Sequence, residues 1–475
     1  MGEVRCVIDG EQVPGEGTFE VLDPSTGQLL AEVARGGPAQ IDRAVRAARR
    51  AFASWRRTSP RDRAALMLRL AELLVRDRDE LALLESRDTG KPLTQARADA
   101  DVAARYFEYY AHALETFFGE SIPTAHDLVA FTKHEPFGVT GHIIPWNYPM
   151  QIACRTIAPA LAAGNCSVVK PAEEAPLTVL RVGLLALEAG FPPGVLNIVP
   201  GLGDEAGAAL AAHPGIDHLS FTGSVPIGTV VAKAAADNVI PVALELGGKS
   251  PNIVLPDADL TAALPVIAKS VLQNAGQTCS AGSRLLVHEA VHAEVVDGLA
   301  QILSKVALGP GPTDPDLGPL ISAKQLERVA AMASDAARAS TLRLGSTEPY
   351  PSEGGYFFAP VIFDDVDPAT TIAQEEVFGP VVAVSTFRDE AEAANIANGT
   401  EYGLIAAVWT QNVNAAHRLA GEIRAGQVYV NTYGAGGGVE FPFGGFKKSG
   451  YGREKGFEAL RAFCQTKTVI LKVGA

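Results

Sequence analysis

One cysteine, Cys279, sits in the stretch Gly276-Gln277-Thr278-Cys279-Ser280-Ala281-Gly282-Ser283-Arg284, among small and polar residues. Attack on a carbonyl needs a thiolate, and an ordinary thiol is only a few per cent ionised at neutral pH. Small neighbours leave room for a substrate. Glycines at 276 and 282 let the backbone approach closely or take positive φ, while Thr278 and Ser280 add hydroxyls without bulk. The setting suits a nucleophile, although many free cysteines are simply small buried apolar residues.

Four further motifs precede it. In Pro145-Trp146-Asn147-Tyr148-Pro149 two prolines restrict the backbone around Asn147, whose amide could be held as a fixed donor or could serve only its own turn. In Val168-Val169-Lys170-Pro171-Ala172-Glu173 a cation and a carboxylate three residues apart suit a ribose, the carboxylate repelling a 2′-phosphate; a solvated charged turn is the plainer reading. Phe221-Thr222-Gly223-Ser224-Val225-Pro226-Ile227-Gly228 reads as a strand entering a helix, where backbone N–H groups and the helix dipole favour a pyrophosphate. Its spacing is GxxxxG rather than GxGxxG. A P-loop ending at Gly248-Lys249-Ser250 is excluded, since Ala243 stands where the first glycine belongs. Finally, Glu245 lies between Leu244 and Leu246 before two glycines, apolar company that should raise its pKa and fit it as a general base, unless it is a strand-end acid paired with a lysine.

The elements that must position these residues are legible in outline. Turn signals between Val4 and Leu30 predict antiparallel hairpins, and Ser59-Pro60 opens a helix whose apolar face carries Leu66, Leu70, Leu73 and Leu74. Another amphipathic helix is expected over 99–118. Between 136 and 252 short apolar strands alternate with helices (138–144, 152–163, 167–170, 177–189, 195–199, 218–221 and 241–245), which argues for a parallel sheet with covering helices. A second series runs from 252 to about 439, with strands expected at 252–255, 285–288, 359–363, 381–387, 406–409 and 427–431.

At 475 residues with 47% apolar content, two or more domains are expected. A formal charge of −14 disfavours nucleic-acid and anionic-membrane partners. The sequence has neither a signal-peptide pattern nor a long uncharged apolar run, so a cytoplasmic protein is expected. Cys6, Cys154, Cys166, Cys279 and Cys464 are scattered without CxxC or Cys/His spacing, which predicts free thiols and no metal site.

Taken in register with Glu375-Glu376-Val377-Phe378-Gly379-Pro380, Pro442-Phe443-Gly444-Gly445-Phe446-Lys447-Lys448-Ser449-Gly450 and Gly452-Arg453-Glu454, these motifs resemble the aldehyde dehydrogenase superfamily over nearly the whole chain. The resemblance implies an α/β fold: a doubly wound Rossmann-like cofactor domain (1–117 and 137–247), an α/β catalytic domain (248–448) and a small β oligomerisation element (118–136 and 449–475). It implies NAD-dependent oxidation of an aldehyde to the acid. Cys279 would attack, Asn147 and the Cys279 N–H would hold the oxyanion, and Glu245 would activate the water that hydrolyses a thioester. Glu454 would be a second, proton-relaying carboxylate. Trp146, Lys170, Glu173, Gly223, Ser224, Gly228, Leu246, Glu376 and Phe378 fall at cofactor positions, with NAD favoured over NADP by Glu173. Tyr148, Arg155 and Phe443 fall at substrate positions, and the glycine-rich 432–439 at the entrance. Arg155 stands where several relatives carry tryptophan and where branches acting on carboxylate-bearing or aryl aldehydes often carry arginine. It could bind an anionic substrate or merely pair with an acid. Gln273 stands where succinate-semialdehyde relatives have a second arginine, which argues against that specific substrate. The apolar run 469–473 is expected to pair with another subunit's sheet edge, giving dimers or tetramers. The alternatives are a CoA-acylating enzyme, which generally lacks the hydrolytic glutamate, and a silent structural relative, which would be expected to lose the cysteine.

Overall fold

The computed structural model describes residues 4–434 and 438–473. Its first sheet grows from Val139–Ile144, which pairs in parallel with Cys166–Pro171 on one side and His218–Thr222 on the other. The chain winds outward through Cys166–Pro171 to Leu196–Ile198, then crosses back to His218–Thr222 and Val242–Glu245 on the opposite flank. The sheet is therefore doubly wound, and its switch point lies between the ends of Val139–Ile144 and His218–Thr222. Every residue of Cys166–Pro171 is buried, which is why this strand reads as a near-continuous apolar run. Antiparallel additions close the edges: Cys6–Ile8 and Glu11–Val13 at one, Gly450–Tyr451 at the other.

The second sheet has seven strands, in the order Thr341–Leu344, Val361–Asp364, Val381–Phe387, Arg284–His288, Pro251–Val254, Ile405–Trp409 and Gln427–Val430, all parallel but the first. Apolar clusters pack both faces of it, one around Ile267, Leu299 and Trp409, another around Ile253, Phe387 and Leu419. Glu245 ends the last parallel strand of the first sheet and Pro251 starts the strand next to the central one of the second, so five residues carry the chain from one to the other.

Helix boundaries follow local chemistry. Ser59 accepts from the Asp62 N–H at 3.1 Å and caps Pro60–Arg76, and Gly164 and Gly190, both at positive φ, end Pro149–Ala163 and Leu177–Ala189. The helix expected over 99–118 instead spans Leu93–Ala113; its start is fixed by Pro92, which precedes it. Arg78–Thr89 is a helix the apolar spacing did not show, because the face it buries includes Glu85, Ser86, Asp88 and Thr89.

The C-terminal strand Cys464–Lys472 pairs along its whole length with Leu128–Pro136 of its own chain, and Ser121–Ile122 completes a three-stranded sheet. The run 469–473 was expected to pair with another subunit's sheet edge; it instead finds a partner strand within its own chain. The apolar residues are satisfied on one edge within the chain, while Ile470 and Leu471 remain exposed.

The buried polar face of Arg78–Thr89 belongs to a network. Lys91 Nζ lies 3.2 Å from Glu85 and 2.5 Å from Asp99, and Glu85 also accepts from the Thr178 hydroxyl at 2.5 Å. Burial alone would depress the lysine, but Asp99 and Glu85 outweigh it, and burial lifts Asp99 to about 6. The same ammonium sits 4.2 Å above the Tyr148 ring, next to Asn147. Lys91→Met would leave two carboxylates buried without their cation, so it should cost about 3–5 kcal/mol. Urea denaturation, read as a fall in midpoint at unchanged slope, checks this.

Candidate functional site

The site is assembled where the two sheets meet. Asn147 follows the central strand of the first sheet and caps no helix itself; Tyr148 does, with Pro149 at the first helical position. The buried Asn147 amide donates to the Gln277 carbonyl at 2.9 Å, and Asn274 donates back to the Asn147 carbonyl at 2.8 Å. Gln277 is tied in turn by its amide to Asn274 O at 3.1 Å and by Ile321 N–H to its Oε1 at 2.9 Å. One Asn147 N–H thus holds the loop before Cys279.

That loop is sharply coiled. Asn274, Ala275 and Gly276 have φ of 50°, 55° and 74°, three left-handed residues in succession. A Cβ on Gly276 would lie 2.1 Å from the Gly379 carbonyl oxygen, so glycine is required twice over, by φ and by space. Beyond the cysteine, Tyr433 donates to the Ser280 carbonyl at 2.8 Å, and Arg284 spends its guanidinium on the carbonyls of Lys249, Ile396 and Ala397 at 2.7–2.8 Å.

Cys279 is half-buried against Leu404, Ile405 and Phe443. Burial pushes its thiol up to about 12; Arg155 opposes this, while Glu376, Glu245 and Glu454 add to it. Glu245 is buried with no hydrogen-bond partner for either oxygen among the described residues. Burial, then the nearby Glu454 carboxylate, raise it well above the usual range against the pull of Arg155, Arg453 and Lys455. The raised pKa anticipated from the flanking leucines has this same cause.

Arg155 lies on Pro149–Ala163, and its guanidinium forms an ion pair with Glu454, both buried. It also stands over the Phe443 ring, 5.2 Å from its centroid. Of its two readings from sequence, pairing with an acid is the one present in the geometry. Glu454 further accepts from the Ser220 hydroxyl at 3.3 Å, and its backbone bridges to Phe443.

Of the residues that the sequence suggested for a cofactor, Lys170, Glu173, Gly223 and Ser224 lie at or just beyond strand ends of the first sheet, and Glu376 and Phe378 lie before the strand Val381–Phe387 of the second. Lys170 Nζ donates to Glu173 at 2.7 Å, and the other Glu173 oxygen faces the Gly203 N–H at 3.4 Å. Gly223 and Ser224 stand where the strand His218–Thr222 gives way to the helix Val225–Asp237. On that helix Ile227 and Val230 are exposed, while a Cβ on Gly228 would strike Leu246 at 2.6 Å. Glu376 accepts from the Gly248 N–H at 2.9 Å, burial raising it to about 7, and Trp146 meets Phe378 edge-on at 5.3 Å. The residues thus offer a carboxylate at one end, bare backbone and apolar surface at the middle, and a carboxylate at the other end. That donor set fits an extended dinucleotide.

Spacing alone did not single out several residues here: Asn274 and Gln277, which hold the loop; Thr222, whose buried hydroxyl has no partner among the described residues; and Lys455. For Thr222 the signal was its place at a strand end before Gly223. Among the described residues, His292, Asp364 and Asp365 are the one grouping of possible metal ligands, on none of these motifs; His292 and Asp364 form a 2.8 Å hydrogen bond. Of the entrance segment 432–439, residues 435–437 lie outside the described residues. No helix among the described residues is long and apolar enough to cross a membrane.

The sequence model of the aldehyde dehydrogenase family matches residues 12–469. The chain belongs to the aldehyde dehydrogenase family. It is 43% identical over 463 residues to the mitochondrial aldehyde dehydrogenase of Equus caballus, covering 96% of this chain and 92% of that protein. Its fold is similar to that of a Bacillus cereus aldehyde dehydrogenase in complex with NAD+, with a TM-score of 0.97 at 42% identity, covering 99% of this chain and 97% of that one. An indole-3-acetaldehyde dehydrogenase from P. syringae, in complex with NAD+ and IAA, gives the same TM-score at 41% identity and the same coverage.

A thiol held up by burial is alkylated only as its anion forms. The rate of Cys279 modification by iodoacetamide should therefore keep rising above pH 9, where an unperturbed cysteine levels off near its pKa of about 8.5. Peptide mapping against pH checks this; a plateau below 9 would count against it.

Proposed function

We propose that the protein oxidises an aldehyde to the carboxylic acid with NAD, through a covalent bond between the substrate carbon and Cys279. The observation that carries the reading is the convergence of Cys279, the Asn147 amide and the unpartnered carboxyl of Glu245 at the meeting of the two sheets. Cys279 Sγ passes its proton to water and attacks the carbonyl carbon. The oxygen, now negative, is held by the free Asn147 N–H and the Cys279 backbone N–H, donors worth about 3 kcal/mol each to such a transition state. NAD, when bound, supplies the acceptor for the hydride that leaves this carbon. Glu245 then takes a proton from water as the water attacks the thioester carbon, and the acid departs as Sγ regains a proton. Arg155 pairs with Glu454, which is near enough to Glu245 to raise it and is the proposed relay.

For the coenzyme, Lys170 and Glu173 would face the adenosine ribose and Gly223, Ser224 and Gly228 the pyrophosphate; Trp146 and Leu246 flank it, and Glu376 and Phe378 sit at the nicotinamide ribose. Glu173 favours NAD because its charge opposes a 2′-phosphate. Tyr148 and Phe443 would wall the aldehyde channel. Glu245 supports hydrolysis rather than acyl transfer to a thiol. We divide the chain into a cofactor domain (1–117 and 137–247), a catalytic domain (248–448) and an oligomerisation element (118–136 and 449–475), with Gly450–Tyr451 also closing the first sheet.

Cys279→Ala should abolish NADH formation while leaving NAD binding intact. Glu245→Gln should slow turnover and accumulate the acyl adduct on Cys279, seen as added mass on the intact protein, with NAD outperforming NADP in the wild-type assay. An unchanged steady-state rate in Glu245→Gln would reject its role.

We read the protein as a cytoplasmic homodimer or homotetramer. Support comes from Cys464–Lys472, an edge strand of the three-stranded sheet with Ile470 and Leu471 exposed, which a second copy would cover. Light scattering should give a multiple of 49.7 kDa, and a monomer would reject this reading.

A further inference from the structure

Two buried cations at the start of the second sheet stand without an acid. Lys249, the residue after Gly248, is 2% exposed, and its ammonium has no hydrogen-bond partner among the described residues. Arg284, 3% exposed, donates to the carbonyls of Lys249, Ile396 and Ala397. Those three bonds engage three of the five N–H donors of a guanidinium and no carboxylate. A buried charge is ordinarily paired with an opposite one, because the loss of its hydration is otherwise uncompensated. Glu376 and Glu375 attract Lys249 only from beyond ion-pair distance.

A cavity adds an independent observation. Lys249 and Arg284 line the same one, a space of ≈ 10 Å³ that has room for a single water-sized body. Arg424, Tyr402 and Asn398 share its wall, and no carboxylate does. Beside it the Lys447 ammonium donates to the carbonyls of Asn398 at 3.1 Å and Thr400 at 2.7 Å. The charge around the cavity is therefore of one sign. The strands Pro251–Val254, Arg284–His288 and Ile405–Trp409 all begin at this wall, and Leu404 of the wall belongs to the cluster on which Cys279 packs.

We propose that this cavity binds one monatomic anion, chloride being the available ion, held by the Lys249 ammonium and the two uncommitted N–H groups of Arg284. The small volume excludes phosphate, sulfate and carboxylates. A water fits the space, but its two lone pairs fall short of the three donors of the ammonium alone, and it leaves both cations without a counter-charge. Burial and Arg284 lower Lys249 to about 7, against the pull of Glu376 and Glu375, whereas burial lowers Arg284 only to about 10. An anion favours the ammonium form and so raises the lysine on binding. Its affinity is therefore full below pH 7 and falls as the pH rises and Lys249 loses its proton, while Arg284 stays charged.

The test compares thermal unfolding in sodium chloride with that in equimolar sodium gluconate, whose anion is too large for the cavity. Chloride should raise the wild-type midpoint by about 2 °C or more near pH 6, and by less than half as much near pH 9. In Lys249→Met the difference between the two salts should disappear, whatever the stability of the variant itself. A crystal of the wild-type protein soaked in sodium bromide should show an anomalous peak beside Lys249 Nζ, so the test survives if the methionine variant folds poorly. A chloride shift that persists in Lys249→Met, a wild-type shift that is absent or equal at both pH values, or water alone in the cavity of the bromide-soaked crystal overturns the proposal. Each of these outcomes leaves aldehyde oxidation standing, since no step of it uses the cavity.

Discussion

Everything at this site depends on one reciprocal pair of hydrogen bonds between side-chain amides and backbone carbonyls: Asn147 to Gln277 O and Asn274 to Asn147 O. Asn147 belongs to the end of the first sheet and the 274–279 loop to the entry of the second, so these bonds fix one sheet's functional residues against the other's. They also hold three successive left-handed residues, an arrangement costing about 1–3 kcal/mol for each non-glycine member. Gly276 bears the tightest approach, under the Gly379 carbonyl, and no other residue fits there. The segment after Gly379 is the strand Val381–Phe387, and the one before it carries Glu376 and Phe378. One glycine therefore sets the cysteine and Glu376 at a fixed separation.

Sequence revealed the parallel strands well because burial on both faces leaves long apolar runs, and their limits agree with the structure to within one or two residues for most, as at Val381–Phe387 and Cys166–Pro171. It revealed poorly whatever is buried and polar. Arg78–Thr89 hides its period because it buries Glu85 and Asp88, whose partners lie on Lys91 and Leu177. The helix over Leu93–Ala113 was placed six residues late, since its first turns bury small alanines rather than aromatic side chains. The partner of the C-terminal strand was assigned to another subunit because Leu128–Pro136 is half-buried and charged, and does not read as an apolar strand.

The same limit applied at the site. Residue types and order were enough to nominate Cys279, Asn147 and Glu245, yet they could not decide between the two readings of Arg155. That choice turns on a partner, Glu454, some three hundred residues away, and a salt bridge leaves no trace in local spacing. Lys455 was passed over for a related reason. What distinguishes it is a backbone conformation, and lysine is not a residue whose presence announces positive φ.

Burial raises the pKa of both the proposed nucleophile and the proposed base, which raises the question of how either acts. An anion on Glu245 is favoured by Arg155, Arg453 and Lys455 and opposed by Glu454, and one on Cys279 is favoured by Arg155 and opposed by Glu376, Glu245 and Glu454. The largest cost is desolvation, with carboxylate repulsion added to it, and the cations offset part of both. Neither Glu245 oxygen is engaged by another group among the described residues, so its carboxyl can turn toward the thiol or toward an acyl carbon on Sγ without losing a hydrogen bond. A carboxyl tied down by donors would have a lower pKa and a fixed direction, and could serve only one of those two positions. Leaving it unpartnered costs stability in the resting protein and gives one residue access to both steps.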